Sequence, residues 1–369
     1  MITNIDILGF KRFEHAAFQL APLTVLTGLN GSGKTSLIQS LLIAREVALN
    51  QSNVLRLNGP FGLELGAAED VLNWVSKSPI RITIEDDESG YGMWQFDVLS
   101  PDALYLGVTS RSPNLPLAFN VHPRSFTYLC AERFGPRSIL GSSPLPDHEL
   151  EVGVQGEYCA HVLSVLGSKI LEDESRKHPS RQDTTSMLLK YEVEQWLGEI
   201  ARPVEITAER LPGSSVVKMS FRSHGGEWVS APNMGFGISY ALPIILSGLI
   251  ARFDGLMIVE NPEAHLHPAG QSRMGVFLAW LASKGVQVVL ETHSDHVLNG
   301  IRRAIGEHRF LPAESALAYF FREDQPGEPH PLADQLRFSN TGGISHWPPG
   351  FFDQYQIDVA SLGRIRRQH

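Results

Sequence analysis

The segment Gly28-Leu29-Asn30-Gly31-Ser32-Gly33-Lys34-Thr35 constrains this chain more than any other stretch. It follows the apolar run Leu23-Thr24-Val25-Leu26-Thr27 and precedes Leu37, Ile38, Leu41, Leu42, Ala44 and Ala48 at helical spacing. It therefore reads as a loop joining a strand to a helix. The pattern is a glycine, four residues, then Gly-Lys and a hydroxyl, the signature of a phosphate-binding loop. Its glycines let successive backbone N–H groups turn inward around phosphate oxygens, and the helix starting near Gly33 adds the favourable potential of its N-terminus. Gly28, Asn30, Gly31, Ser32, Gly33, Lys34, Thr35 and Ser36 are expected to line a nucleotide site. Lys34 would reach the β- and γ-phosphates, and Thr35 would place its hydroxyl on Mg²⁺. A glycine turn with an incidental lysine is the alternative, and the strand and helix flanks argue against it. No Asn-Lys-x-Asp segment is present to read guanine, which favours ATP.

The 369 residues, 43% hydrophobic and 19% charged, suit a large α/β core with an inserted or appended part. Strands alternating with helices predict a mostly parallel sheet with helices on both faces and chemistry at the carboxyl ends of its strands. Residues 1–54 hold the first part of this core. Residues 55–232 read as an inserted mixed β/helical lobe, with strand-like pieces at 80–84, 94–98 and 216–221 and a polar run over 172–186 expected to be a mobile loop. Residues 233–369 return to the core. The N-terminus lacks a basic start and apolar core, and the apolar stretch over 240–250 falls short of the roughly 18–20 residues that span a bilayer. A cytoplasmic protein with no membrane contact is expected. Cys130 and Cys159 alone exclude a disulfide framework or a four-cysteine zinc site. A net charge of −9 argues against coating nucleic acid by bulk electrostatics. Arg302, Arg303, Arg364, Arg366 and Arg367 could form a local basic patch, with a solvated charged surface as the alternative.

Hydrolysis of a Mg²⁺-bound triphosphate needs a further acid on the metal side and a polar group to orient water. Leu256-Met257-Ile258-Val259 reads as a buried strand ending in Glu260, followed by Asn261-Pro262-Glu263. Glu260 is expected to serve Mg²⁺ directly or through water, with a capping acid after a buried strand as the alternative. A second apolar run, residues 286–290, ends at Glu291-Thr292-His293-Ser294. Between them and the phosphate loop in function stands Asn233-Met234-Gly235-Phe236-Gly237-Ile238-Ser239, a glycine-rich start to a helix of the kind that binds anions. Phe10, Lys11 and Phe13 could stack near an adenine, or the two phenylalanines could be core residues.

With these motifs the chain resembles the ABC-class ATPases of the SMC, RecF and OLD (overcoming lysogenization defect) type. The resemblance rests on Ile5-x-x-x-Gly9-Phe10-Lys11-x-Phe13, the phosphate loop, Glu260-Asn261-Pro262-Glu263-Ala264-His265-Leu266-His267-Pro268 and Glu291-Thr292-His293-Ser294. The tail Trp347-Pro348-Pro349-Gly350-Phe351-Phe352-Asp353 looks like that of a bacterial branch of predicted ATPases. The resemblance implies that His293 contacts the γ-phosphate. It also implies that Gly235, Gly237 and Ser239 stand where the family's signature segment completes the site of the opposite protomer, although no Leu-Ser-Gly-Gly string is present. Two chains would then meet head to tail around ATP. The family carries a second acid after the metal-side acid, acting as general base; this chain has Asn261 there, which predicts slow hydrolysis and leaves Glu263 or Asn261 to position water. A zinc site built from His293 with His296, or from His265 with His267, is the alternative for the histidines.

The resemblance further implies an ATP-driven switch acting in antiphage defence or DNA processing. No compact Asp-x-Asp cluster follows His293, so a nuclease or toxin activity would reside in a separate effector partner. Direct DNA contact stays open. A second reading is a regulatory module that senses ATP with little hydrolysis and sequesters a toxic effector. A transporter subunit is disfavoured by the absent signature string, and a small-molecule kinase by the acidic strand end and the histidine.

Overall fold

The computed structural model describes all residues except 51, 76–78, 111–113, 182–186, 323–332, 354–356, 360 and 363–369. Arg364, Arg366 and Arg367 and the last five residues of the expected 172–186 loop lie outside the described residues. The centre is a six-stranded sheet of order β16-β15-β3-β14-β13-β8. Its members are β3 (Leu23–Gly28), β8 (Phe126–Leu129), β13 (Leu256–Glu260), β14 (Gln287–Glu291), β15 (Ala316–Phe321) and β16 (Ala333–Arg337). Only β16 runs antiparallel.

Alternate residues of these strands enter two different hydrophobic clusters. Val25, Met257, Val259, Val288 and Leu290 face one side, and Leu26, Leu256, Ile258 and Val289 face the other. A strand covered on both faces has no polar side, which is why β13 and β14 read as unbroken apolar runs.

One face is covered by α1 (Lys34–Leu49) and by an antiparallel sheet of order β2-β1-β5-β6-β7-β4. That sheet joins β1 (Ile2–Phe10) and β2 (Phe13–Gln19) to β4 (Val54–Arg56), β5 (Ile80–Asp86), β6 (Tyr91–Asp97) and β7 (Tyr105–Ser110), with the single turn α2 (Ala68–Val71) beside it. The other face carries α3 (Cys159–Leu166), α4 (Leu189–Ile200), α5 (Phe236–Ile250), α6 (Pro268–Ser283) and α7 (Asp295–Gly306). A third, small sheet is formed by β9 (Ile139–Gly141), β10 (Glu205–Arg210), β11 (Val216–Arg222) and β12 (Val229–Ser230). Residues 55–232, expected as one inserted lobe, thus contribute strands to all three sheets. The described part of the polar 172–186 run is packed, with Arg176 and His178 buried. The tail folds back on β15, where buried Phe351 meets Phe320 and Trp347 edge to face. No helix among the described residues is long and apolar enough to cross a membrane.

Two helices on the second face, α6 and α7, cross closely. A Cβ at Gly300 of α7 would lie 1.8 Å from the Ser272 carbonyl oxygen of α6, and one at Gly275 would lie 2.1 Å from that of Val297. The two helices touch backbone to backbone. Gly300→Ala should therefore force them apart and destabilise the protein by about 1–3 kcal/mol, the usual range for overpacking. Chemical denaturation checks this, and an unchanged midpoint would contradict the close crossing.

Candidate active site

At the carboxyl edge of the sheet, the register aligns Leu26 of β3 with Glu291 of β14, and Glu291 with Glu260 of β13. The phosphate loop, Glu291 and Glu260 therefore stand side by side in that order. Gly28 begins the loop at φ +133, and a Cβ there would sit 2.1 Å from the Phe321 carbonyl oxygen of β15, so only glycine fits. Gly33, also left-handed, lies over the ring of Phe13. Phe10 and Phe13 are fully buried core residues, which settles their alternative against an exposed adenine-stacking role. Lys11 instead bonds Gln39, and Arg12 donates to the Gly31 carbonyl, tying the turn between β1 and β2 to the loop.

Lys34 is nearly buried and donates to the carbonyls of Gly28 at 3.0 Å and Leu29 at 2.6 Å. The loop backbone thus wraps the ammonium, with Ser32 also donating to the Leu29 carbonyl and Asn30 and Gly31 at the exposed tip. Burial lowers the Lys34 pKa, and Glu291, 3.8 Å away, opposes that shift. Thr35 donates toward Glu291, its Oγ1 lying 3.2 Å from Oε2 and 3.4 Å from Oε1. Ser36 is buried in the first turn of α1.

The other acids are engaged elsewhere. Glu260 accepts from the Tyr128 hydroxyl at 3.0 Å and from the Ala131 amide at 3.1 Å. Burial raises its pKa, and those two bonds work against the rise. Asn261 takes a left-handed conformation, φ +44, and its N–H donates to the Glu291 carbonyl. Arg133 pins this strand end: its guanidinium donates to the carbonyls of Cys130, Glu260 and Asn261 at 2.6–2.8 Å. Glu263 accepts from the Thr292 hydroxyl at 2.7 Å and from the His293 amide at 2.8 Å, joining the two loops that follow β13 and β14. His293 is about 40% exposed with Nε2 3.9 Å from Glu291, and its pKa is lowered by burial and then by Lys34. Glu260, Glu263, His293, Lys34 and Thr35 are thus brought to one edge.

The glycine-rich helix start packs against the loop that follows β13. Gly235 adopts φ +88, and a Cβ on Gly237 would come within 3.1 Å of the His265 carbonyl, so both glycines also have local structural reasons. With His265 and His267 they line a groove of about 320 Å³. Phe236, half exposed, stacks on His265, whose ring also meets Tyr240. Ser239, the fourth residue of α5, is 8% exposed, so the helix start presents Phe236 and backbone where a hydroxyl was expected. Among the described residues no three His, Cys, Asp or Glu side chains converge to hold a metal ion by themselves. A hydroxyl beside one or two carboxylates is instead the donor set of Mg²⁺, which takes its remaining ligands from phosphate and water.

Sequence alone assigns no chemical role to Glu291, Tyr128 or Arg133. The signal for Glu291 was available, because it ends an apolar run just as Glu260 does. Burial raises the Glu291 pKa to about 7, with Lys34 opposing the rise. The folded protein then holds a proton that the unfolded chain, with a value of 4.5, has released. Stability should fall as pH rises through this window and level off above it. Glu291→Gln removes the penalty, so without nucleotide or metal it should be more stable than wild type at pH 8 by on the order of 2 kcal/mol. The difference should fade toward pH 5, and thermal melts across that range would refute the assignment if the gap did not change.

Residues 156–299 match the family described as "AAA domain, putative AbiEii toxin, Type IV TA system", and residues 311–362 match "Protein of unknown function (DUF3696)". No curated protein matches the chain. Among solved structures, an Smc head bound to the C-winged helix domain of ScpA is similar at a TM-score of 0.53 and 13% identity, covering 91% of this chain and 97% of that one. The Smc head domain from Pyrococcus furiosus, with an extended coiled coil and the C-terminal domain of ScpA, gives 0.48 at 11% identity and covers 99% of both chains. The SMC head domain from Thermotoga maritima gives 0.43 at 12% identity, covering 92% of this chain and 99% of that one. The fold is thus of the ABC-ATPase type, like that of an Smc head, and residues 156–299 are similar to an ATPase family.

Proposed function

We propose that this protein binds ATP with Mg²⁺ on the residue 28–35 loop and hydrolyses it slowly, as a conformational switch. The observation that carries the reading is the convergence of Lys34, Thr35, Glu291, Glu260, Glu263 and His293 at one sheet edge. Lys34 would exchange two carbonyls for phosphate oxygens, keeping its charge in a buried position where an anion compensates it. Bound Mg²⁺ would neutralise phosphate charge and polarise the γ-phosphoryl group, with the Thr35 hydroxyl and a carboxylate of this edge as its expected holders. His293, through Nε2, would report the γ-phosphate.

Slow turnover follows from the groups available to water. Asn261 can orient water and cannot take its proton, a loss that is worth about 10²–10⁴-fold in rate. Glu263, the other candidate, has both oxygens engaged by Thr292 and His293. It could act as base only when that loop moves, which would couple hydrolysis to the histidine segment. Glu263→Gln and Asn261→Ala should each lower steady-state ATP turnover by tenfold or more, and unchanged rates in both would sink the water-positioning role.

The half-exposed Phe236 and the free N-terminus of α5, with Gly235 and Gly237, support a head-to-tail dimer in which this helix start closes on the partner's nucleotide. Since Ser239 is nearly buried, backbone N–H groups would carry most of that contact. Sedimentation of Glu263→Gln should give a dimer with ATP and a monomer without it; a monomer in both states counts against the arrangement. A cytoplasmic role in antiphage defence or DNA processing, with a separate nuclease or toxin as effector, is in keeping with the toxin–antitoxin wording of the matched family. Asn261 favours a second reading, an ATP sensor that barely hydrolyses and holds a toxic effector inactive. ATPase assays with and without DNA separate the two: stimulation supports the switch, and negligible turnover under both conditions supports the sensor.

A further inference from the structure

Three carboxylates stand at the nucleotide edge, and their surroundings differ. The pattern of an apolar strand ending in an acid nominates Glu260 for the metal. Yet Glu260 lies two strands from the loop and gives one oxygen to Tyr128 and the other to the Ala131 amide. Glu263 is likewise satisfied by Thr292 and His293. Glu291 lies on the strand between the phosphate-loop strand and the Glu260 strand, immediately beside the loop.

Its side chain is one-tenth exposed, and its partners are Thr35 Oγ1 at 3.2 and 3.4 Å, Lys34 Nζ at 3.8 Å and the His293 ring at 3.9 Å. Each is a group that a bound magnesium nucleotide would draw away: the lysine to phosphate, the hydroxyl to the cation, the histidine to the γ-phosphate. A buried carboxylate that loses its cation and its hydrogen-bond donor together must gain a new positive partner or take up a proton. The divalent cation that the Thr35 hydroxyl holds would arrive at that place.

We infer that Glu291 is the carboxylate facing the nucleotide's divalent cation, directly or through one water. Glu260 is then a positioning residue that, with Tyr128 and Ala131, fixes the end of β13 against β8. The inference rests on the nucleotide-binding reading above and changes which side chain serves the metal.

Mn²⁺ serves as a spectroscopic probe for the cation. Electron paramagnetic resonance of Mn²⁺ titrated into the full-length protein saturated with ADP reads metal affinity without turnover. Glu291→Gln should weaken Mn²⁺ binding at least tenfold, whereas Glu260→Gln should change it less than threefold. ADP binding measured in EDTA should be unchanged or tighter in Glu291→Gln, because one negative charge near the phosphates is gone. Glu291→Asp should recover part of the Mn²⁺ affinity, which a fold defect would not allow. The opposite ranking, with Glu260→Gln losing Mn²⁺ and Glu291→Gln retaining it, overturns the assignment. A loss in Glu291→Gln that extends equally to ADP in EDTA, with no recovery in Glu291→Asp, also overturns it in favour of a structural role. Failure of the wild-type protein to bind ADP at all would instead defeat the underlying nucleotide reading.

Discussion

The parallel pairing of β3, β14 and β13 is the constraint on which the rest depends. Because all three strands run the same way and are buried on both faces, their chemically active ends emerge at one edge, in fixed register, about 4.8 Å apart from strand to strand. Everything polar at that edge must then find a partner within a small, partly dry space. Lys34 turns back on its own loop, Thr35 meets Glu291, Glu260 meets Tyr128, and Glu263 bridges to the segment carrying His293. The network is satisfied without any ligand, and a nucleotide would have to exchange bonds one for another. Such an exchange, and not simple filling of a cleft, is how this edge could sense what is bound.

Arg133 shows how the scaffold supports that edge. A buried guanidinium is expensive unless its donors are used, and here its two terminal nitrogens hold the carbonyls of Cys130, Glu260 and Asn261. Burial lowers its pKa. Its charge also sits 5.6 Å from the Tyr240 ring, and that ring packs on His265 beside Phe236. The acidic strand end and the glycine-rich helix start are therefore joined within one chain by a short series of contacts. In a head-to-tail dimer those two regions would belong to different nucleotide sites.

What could be read from sequence follows from burial. The phosphate loop, β13, β14 and the start of α5 were legible because two-faced burial produces unbroken apolar runs and because the glycines have a specific backbone purpose. Residues 55–232 were poorly legible for the opposite reason. Their strands pair with partners distant in the chain, as β5 does with β1, and β8 is four residues among turns that join the central sheet. Local pattern carries no record of such pairing. At the site, side-chain direction was the hidden variable: sequence showed that Glu260 ends a strand, and it could not show that Tyr128 and Ala131 occupy both its oxygens. Ser239 was similarly placed by type, while the helix geometry turns it inward.

Everything proposed for this edge depends on nucleotide binding at the loop. Isothermal titration of a slowly hydrolysed ATP analogue with Mg²⁺ into wild type and Lys34→Ala tests it most directly. Saturable binding by wild type, weakened at least a hundredfold in a folded Lys34→Ala protein, is the predicted result. Equal binding by the two proteins, or none by wild type, would contradict it.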